Sequence, residues 1–247
     1  MLSMSRMTEA NRSPVGNWLL DGLAPDTLGQ LRPHIRLVKL RSGQLLWEQG
    51  SWQEHVYFPI SGAVSILMSV DQDATTIGVS VIGNEGLVGA SILLSEGSQE
   101  PAVASAEVLI DGLAMQMSAS VLREQARQSN ELSKLLHQYL RACFVQSLYD
   151  AACNGRHSVD ERLTRWLLAV ADRSPDNAID VSHAQIAKVL GVRRAGVTLA
   201  LAGFKASGLT GSVRGHIAIL DRTGLEAASC GCYFAIKQEY EIFRHVS

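Results

Sequence analysis

Three changes of periodicity along this 247-residue chain predict an α+β fold. Over residues 35–117, short β-rich runs alternate with glycine turns, which is typical of a small antiparallel β-roll. Over residues 119–152, apolar residues recur every four positions, which predicts one long helix. Two shorter helical patterns then flank a tight turn at Gly191 and precede a β-hairpin, which predicts a winged helix-turn-helix.

These patterns predict four segments. We expect a flexible N-terminal arm at residues 1–16, the β-roll at 17–118, the long helix at 119–153 and the winged helix-turn-helix at 154–247. The long helix is expected to break at Asn154-Gly155, which we take as the hinge.

Composition excludes several classes of protein. A hydrophobic content of 47% is enough for a packed core, so we expect a globular chain. No apolar run is long enough to cross a bilayer, and the N-terminal segment lacks the apolar region of a signal peptide. We therefore expect a cytoplasmic protein with no membrane partner and with its cysteines as free thiols.

The predicted roll is built from β-rich runs at residues 56–58, 64–67 and 76–81. Glycine- and serine-containing turn signals interrupt them at Ser42-Gly43, Ser61-Gly62, Gly83-Asn84 and residues 96–98.

The long helix carries a broad apolar stripe. The stripe consists of Leu132, Leu136, Leu140, Phe144 and Leu148, with Leu135, Tyr139 and Val145 beside it. It is too wide for one face packed on a small roll, so we expect the helix to pair with its twin in a dimer. The alternative is a core helix of a monomer.

Two S-x-x-E/Q capping boxes mark helix starts in the C-terminal part, at Ser158 and at Ser182. Gly191 lies where the turn between two helices needs a positive φ, and the second helix opens at Arg193-Arg194. The segment around Arg214-Gly215-His216 predicts a hairpin tip, the wing, and a last helix is expected to start at Thr223.

Charge is concentrated at this motif. The chain has a net charge of −2, yet residues 183–222 contain six lysines and arginines and a single acid, Asp221. A basic patch on an otherwise acidic chain indicates phosphate binding, and the first residues of the second helix of such a motif reach base edges.

Nearly the whole chain, from Leu19 to Tyr233, resembles the CRP/FNR family of bacterial transcription factors. The most specific similarity lies in the segments 160–173, 184–210 and 214–222, and in the roll at residues 41–43, 48–50, 56–62 and 86–89. The resemblance implies a cyclic-nucleotide-binding-like roll, or double-stranded β-helix, and a regulator that is not an enzyme. The implied partners are double-stranded promoter DNA, a second copy of the chain as homodimer, RNA polymerase and an unidentified small-molecule effector.

Motif and resemblance together place DNA contacts on the helix-turn-helix and its wing. These residues are Ser182, His183, Lys188, Arg193, Arg194, Ala195, Thr198, Leu199, Lys205, Arg214 and His216. The best-known members read DNA with an Arg-Glu pair and a second Arg, whereas Arg194, Ala195 and Leu199 occupy those positions here, so we expect a different target sequence. The alternative function is a ligand-binding or protein-interaction adaptor that does not bind DNA.

The roll also departs from the family. Cyclic-AMP-responsive members hold the phosphate with a Glu and an Arg-Ser pair, and this chain has Ala90 and Pro101-Ala102 there. Because no lysine or arginine occurs between Arg41 and Arg123, we expect the usual phosphate clamp to be missing. The effector pocket is predicted at Gly86, Val88, Gly89, Ala90, Ser91, Pro101 and Ala102.

No cofactor, metal or catalytic site is predicted. The chain lacks an N-terminal cysteine cluster for iron–sulfur sensing, and His55 is a solitary histidine in the strand region of the roll. Cys230-Gly231-Cys232 supplies two thiolates, which do not complete a zinc site. Cys153 and His157 could join them only if the fold brought them close, so we interpret all four cysteines as ordinary thiols; the alternative is a metal or redox role for Cys230 and Cys232.

Overall fold

The computed structural model describes residues 15–70, 76–94, 101–174, 178–213 and 216–246. Most of the predicted N-terminal arm, the predicted turn at residues 96–98 and the wing tip at Arg214-Gly215 lie outside these residues. Within them, the predicted fold class is confirmed as an antiparallel roll, long helices and a winged helix-turn-helix.

Two short helices, α1 (Trp18–Asp21) and α2 (Pro25–Leu31), precede the roll. The roll strands are β1 (Arg36–Leu40), β2 (Leu45–Trp47), β3 (His55–Ser69), β4 (Thr76–Ile82) and β5 (Ser105–Ser118). They pair antiparallel in the order β1-β5-β3-β4, and β2 pairs with the first part of β5. One side of this sheet encloses the apolar interior of the roll, which includes Tyr57, Val64 and Val88.

Strand β3 bends at the position where the sequence predicts a turn. The predicted turn at Ser61-Gly62 is wrong, because β3 continues through it with irregular pairing to β5. Gly62 has a φ of 77°, and a Cβ there would lie 2.6 Å from the carbonyl oxygens of Ile110 and Asp111. A Cβ at Gly112, on the facing strand, would lie 2.0 Å from the carbonyl oxygen of Ser61. The glycines therefore let two long strands bend together, which closes the roll.

Two helices, α3 (Ala119–Gln128) and α4 (Asn130–Arg156), replace the single predicted helix. Ser129 adopts an extended conformation between them, and its side chain accepts a hydrogen bond from the Leu132 amide as the N-cap of α4. The predicted break at Asn154-Gly155 is also wrong, since α4 continues through both residues.

The C-terminal part contains a second, three-stranded sheet of order β6-β8-β7. Its elements are α5 (Val159–Ala171), β6 (Ala178–Ile179), α6 (His183–Leu190), α7 (Arg194–Ala206), β7 (Thr210–Val213), β8 (His216–Ile219), α8 (Arg222–Ala227) and α9 (Cys232–Val246). Helix α9, which the sequence patterns do not predict, packs along α4. No helix in the described part of the chain is both long and apolar enough to span a membrane.

Helix α6 lies directly against β4 of the roll. A Cβ at Gly78 would lie 2.5 Å from Val189 Cγ1, so the two backbones approach as closely as a glycine allows. Leu67 and Val81 of the roll belong to the same buried apolar cluster as Val189. The roll and the helix-turn-helix therefore share one hydrophobic core.

A buried ion pair joins the two halves beside this contact. The Arg173 guanidinium lies 2.7 Å from Glu85, and the two side chains are only 11% and 7% exposed. Glu85 also accepts a hydrogen bond from the Gly83 amide, and Arg173 donates to the Ala169 carbonyl. Burial works against the charged form of Arg173, but Glu85 more than offsets it, so the pKa of Arg173 is raised.

Glu85→Gln should destabilise the chain strongly, because it leaves the buried Arg173 charge without its counterion. We expect a loss of about 3–5 kcal/mol in the free energy of unfolding measured by urea titration. The control is Glu107→Gln, which breaks the more exposed pair between Glu107 and Lys188 and should cost at most about 1 kcal/mol. Equal effects of both substitutions would contradict the assigned role of Glu85.

Candidate nucleic-acid interface

Helix α6 starts where the sequence predicts it. The Ser182 hydroxyl accepts a hydrogen bond from the Gln185 amide at 3.2 Å, and the Gln185 side chain accepts one from the Ser182 amide at 2.9 Å. This reciprocal capping box confirms the sequence motif, as does the equivalent one at Ser158 and Glu161. The N-terminus of α6 is thus fixed by its own side chains.

The turn between α6 and α7 depends on one left-handed residue. Gly191 has φ 63° and ψ 39°, as predicted from the sequence. The Val192 amide donates to the Ala187 carbonyl at 3.0 Å, which closes the end of α6 in a Schellman-type arrangement. The chain then reverses direction into α7, with Arg193 as its N-cap.

Helix α7 presents two opposite faces. Val197, Ala200, Leu201 and Phe204 are buried against the rest of the domain. The other face is exposed and carries six residues predicted to contact DNA: Arg193, Arg194, Ala195, Thr198, Leu199 and Lys205. Leu199 is 76% exposed, so this face also offers an apolar side chain to a binding partner.

The other residues predicted to contact DNA do not lie on α7. Ser182 is exposed, and His183 Nδ1 lies 3.0 Å from Thr198 Oγ1, which ties the start of α6 to the face of α7. His216 Nδ1, on β8, lies 2.8 Å from Asp180 Oδ1. Lys188 turns towards the roll, where its Nζ lies 3.0 Å from Glu107 Oε2. Arg214 lies outside the described residues.

The predicted effector-pocket residues lie in and beside the roll, each with its own contacts. Val88 exchanges two backbone hydrogen bonds with Tyr57 inside the roll. Gly86 lies against the Tyr139 ring of α4, where a Cβ would lie 2.3 Å from the hydroxyl oxygen. The Gly89 carbonyl accepts a hydrogen bond from Gln53 Nε2 at 2.9 Å. Ala90 and Ser91 begin a short 3₁₀ helix, Ala102 is buried, and Pro101 is exposed.

A cavity of 710 Å³ lies elsewhere, between β4, α4, α5 and α9. Trp18, Trp166, Arg173 and Tyr240 are among its lining residues. Sequence reasoning missed this cavity, because its walls come from segments far apart in the chain.

The proximity of three cysteines and one histidine in the C-terminal part was also not predicted from the sequence. Cys153, His157, Cys230 and Cys232 lie side by side, although they come from two separate segments. The signal was present as a four-residue spacing at the end of α4 and a C-x-C motif before α9, but their proximity depends on the fold.

Comparisons with known proteins agree with this geometry. Residues 37–129 match the family model of the cyclic nucleotide-binding domain, and residues 161–228 match the family model of the Crp-like helix-turn-helix domain. No significant match is found among curated proteins.

Several solved structures share the fold. A transcriptional regulator of the crp/fnr family from Eubacterium rectale is 18% identical, with a TM-score of 0.64 over 85% of this chain and 96% of that chain. FixK2 from Bradyrhizobium japonicum is 20% identical, with a TM-score of 0.62 over 80% and 98%. The c-di-GMP-responsive regulator CLP of Xanthomonas campestris is 19% identical, with a TM-score of 0.58 over 80% and 100%.

A cyclic-nucleotide-binding type of roll followed by a Crp-like winged helix-turn-helix defines a class of two-domain regulators. Both domains occur here in that order, and together the matches span well over half of the chain. The chain thus has the domain composition and the fold of a CRP/FNR-type regulator.

Gly191→Ala and Gly203→Ala should have opposite effects on stability. The first places a Cβ on a left-handed residue and should cost about 1–2 kcal/mol, whereas the second lies in open space on α7 and should gain about 0.5–1 kcal/mol. Thermal unfolding followed by circular dichroism measures both. A neutral Gly191→Ala would show that the turn does not need its left-handed residue.

Proposed function

We propose that this protein is a dimeric, sequence-specific DNA-binding regulator of transcription that acts in the cytoplasm. The observation that carries the proposal is the exposed face of α7, which combines Arg193 and Arg194 at its N-terminus with exposed Ala195, Thr198 and Leu199. A basic, exposed helix N-terminus that follows a helix-turn-helix fits the major groove.

Each position on this face suits a distinct contact. The Arg194 guanidinium can form two hydrogen bonds with guanine O6 and N7, and Leu199 and Ala195 can contact a thymine methyl group. Arg193 and Lys205 are placed to contact phosphates or, for Arg193, bases. Lys188 becomes available to DNA only when it leaves Glu107. The operator should accordingly differ from the sites read by the best-known family members.

The dimer is proposed to form along the C-terminal half of α4. In the stripe predicted from the sequence, Leu132 and Leu136 are buried within the chain, whereas Phe144 and Leu148 are 64% and 55% exposed. Two large neighbouring apolar side chains on one helix face favour burial against a second copy. A two-fold axis here would give the two-fold operator expected of such proteins.

The roll is proposed to lack the usual cyclic-AMP clamp. No lysine or arginine occurs between Arg41 and Arg123, although this stretch contains many acids. The Gly89 carbonyl is already bonded to Gln53, and Pro101 pairs with Trp52 in an isolated β-bridge. An effector, if one acts, is therefore uncharged, or a nucleotide held in another pose. Its signal would shift the population of the docked α6–β4 arrangement, and RNA polymerase would read the outcome at the promoter.

The deciding experiment is selection of bound sequences from a random duplex pool with the purified full chain and no added ligand. Recovery of a two-fold symmetric motif supports a dimeric regulator that binds DNA without an effector. If nothing is enriched alone but a motif appears in cell extract, an effector is required. No enrichment under either condition would favour an adaptor with a CRP-like fold.

Arg194→Ala should weaken binding to the selected motif by about 1–3 kcal/mol, with little effect on random duplex, because base contacts carry the specificity. Lys205→Ala should weaken binding to both DNAs and reduce the salt slope by about 1. Fluorescence anisotropy over a range of salt concentrations measures both effects. Arg32→Ala, exposed but outside the motif, serves as the control. Equal losses for Arg194→Ala on both DNAs would make Arg194 a phosphate contact.

Phe144→Asp should convert the dimer to a monomer, because it places a charge in the proposed apolar interface. Sedimentation equilibrium measures the change in mass. Leu37→Asp is the matched control, since Leu37 is 57% exposed on β1, away from α4. A dimer that survives Phe144→Asp while remaining folded would place the interface elsewhere.

A further inference from the structure

Four metal-binding side chains meet at the end of α4. Cys153, His157, Cys230 and Cys232 each offer one ligand atom, and these four atoms all lie within 4.8 Å of one another. The Cys153 and Cys230 sulfurs are 3.7 Å apart, and the Cys232 sulfur lies 3.7 Å from His157 Nδ1.

These spacings are those of a tetrahedral metal site. Zinc lies about 2.3 Å from thiolate sulfur and about 2.0 Å from imidazole nitrogen, so tetrahedral angles separate two sulfurs by about 3.8 Å and sulfur from nitrogen by about 3.5 Å. The two separations observed at the cluster agree with these values to within a few tenths of an ångström. A single ion fits the space, whereas a cluster of several irons would hold its ligands farther apart.

Local structure fixes both halves of the cluster. The His157 amide donates to the Cys153 carbonyl at 3.0 Å, so the last turn of α4 brings these two side chains to the same side. On the other half, the Tyr233 amide donates to the Cys230 carbonyl, and the Tyr233 hydroxyl donates to Asp172 at 2.9 Å. The start of α9 is therefore anchored independently of any metal.

The sulfur ligands of the cluster lie in the interior of the chain. Its three cysteines are buried and form free thiols that pack against one another. Metal binding requires these thiols to lose their protons, and a divalent ion compensates the buried negative charge that results.

We infer that Cys153, His157, Cys230 and Cys232 form a closed, structural zinc site that fastens the start of α9 to the end of α4. Three thiolates and one imidazole are one of the usual ligand sets of structural zinc, and four protein ligands leave no open position for catalysis. Binding releases the three thiol protons to solvent and leaves a Zn²⁺–thiolate group of net charge −1 near Arg165. The inference is independent of whether the chain binds DNA.

The site lies at the connection between α4 and α5. It joins α9 to the last turn of α4, directly before α5 leads into the helix-turn-helix. A bound ion would restrict rotation about the α4–α5 junction.

The test is metal analysis of the full-length chain, purified under reducing conditions and then titrated with Co²⁺ and Zn²⁺. The variants are Cys232→Ser and His157→Gln, and the control is Cys143→Ser, because Cys143 lies outside the cluster on α4. Circular dichroism checks that every variant is folded. The readouts are bound zinc per chain, the visible bands of tetrahedral thiolate-bound Co²⁺, and the change in Tm on addition of Zn²⁺.

The inference predicts one zinc per chain, tetrahedral Co²⁺ bands that Zn²⁺ abolishes, and a higher Tm with Zn²⁺. The control should behave in the same way, and both variants should lose the bound ion. Folded, reduced wild-type chain that binds neither metal would overturn the inference, as would unchanged stoichiometry in either variant. A Cys153–Cys230 disulfide in chain purified without reductant, together with no metal binding after reduction, would reassign the cluster as a redox pair.

Discussion

The close contact between α6 and β4 is the constraint on which the arrangement of this chain depends. Val189 lies over Gly78, where any side chain larger than hydrogen would push the two elements apart. Because Leu67 of the roll and Val189 share one buried cluster, the two halves cannot separate without exposing apolar surface to water. The pairs Glu85–Arg173 and Glu107–Lys188 add charge complementarity to the same junction. The direction in which α7 points is set by this junction.

The helix-turn-helix could be predicted from the sequence because its determinants are local. Capping of α6 by Ser182 and Gln185, and the left-handed turn at Gly191, involve residues within a few positions of one another. The bend at Gly62 could not be predicted in the same way. Ser61-Gly62 has the composition of a turn, and only the facing Gly112, fifty positions further along, shows that a continuous strand passes there. The four-residue cluster around Cys153 could be considered from the sequence only on the condition that the fold brought its two halves together, since they are far apart in the chain.

The apolar stripe on α4 shows a second limit on what a sequence pattern can predict. Residues four positions apart advance by about 40° around an α-helix, so a stripe with this repeat winds around the helix. Its first residues, Leu132 and Leu136, therefore face the core, and its last, Phe144 and Leu148, face outwards. The sequence indicated that the stripe is too wide to be buried by one contact surface. Which half of the stripe remains exposed depends on how the helix packs on its own chain, and the sequence pattern does not contain that information.

Strand β4 is an edge strand, since the order of the sheet is β1-β5-β3-β4. An uncovered edge offers free backbone hydrogen-bonding groups to other chains and is a common starting point for aggregation. Here the helix-turn-helix covers that strand through α6. The helix-turn-helix half therefore also covers part of this edge strand of the roll. Any movement that lifts α6 from β4 would expose this strand and make aggregation easier, unless another surface covers the strand instead.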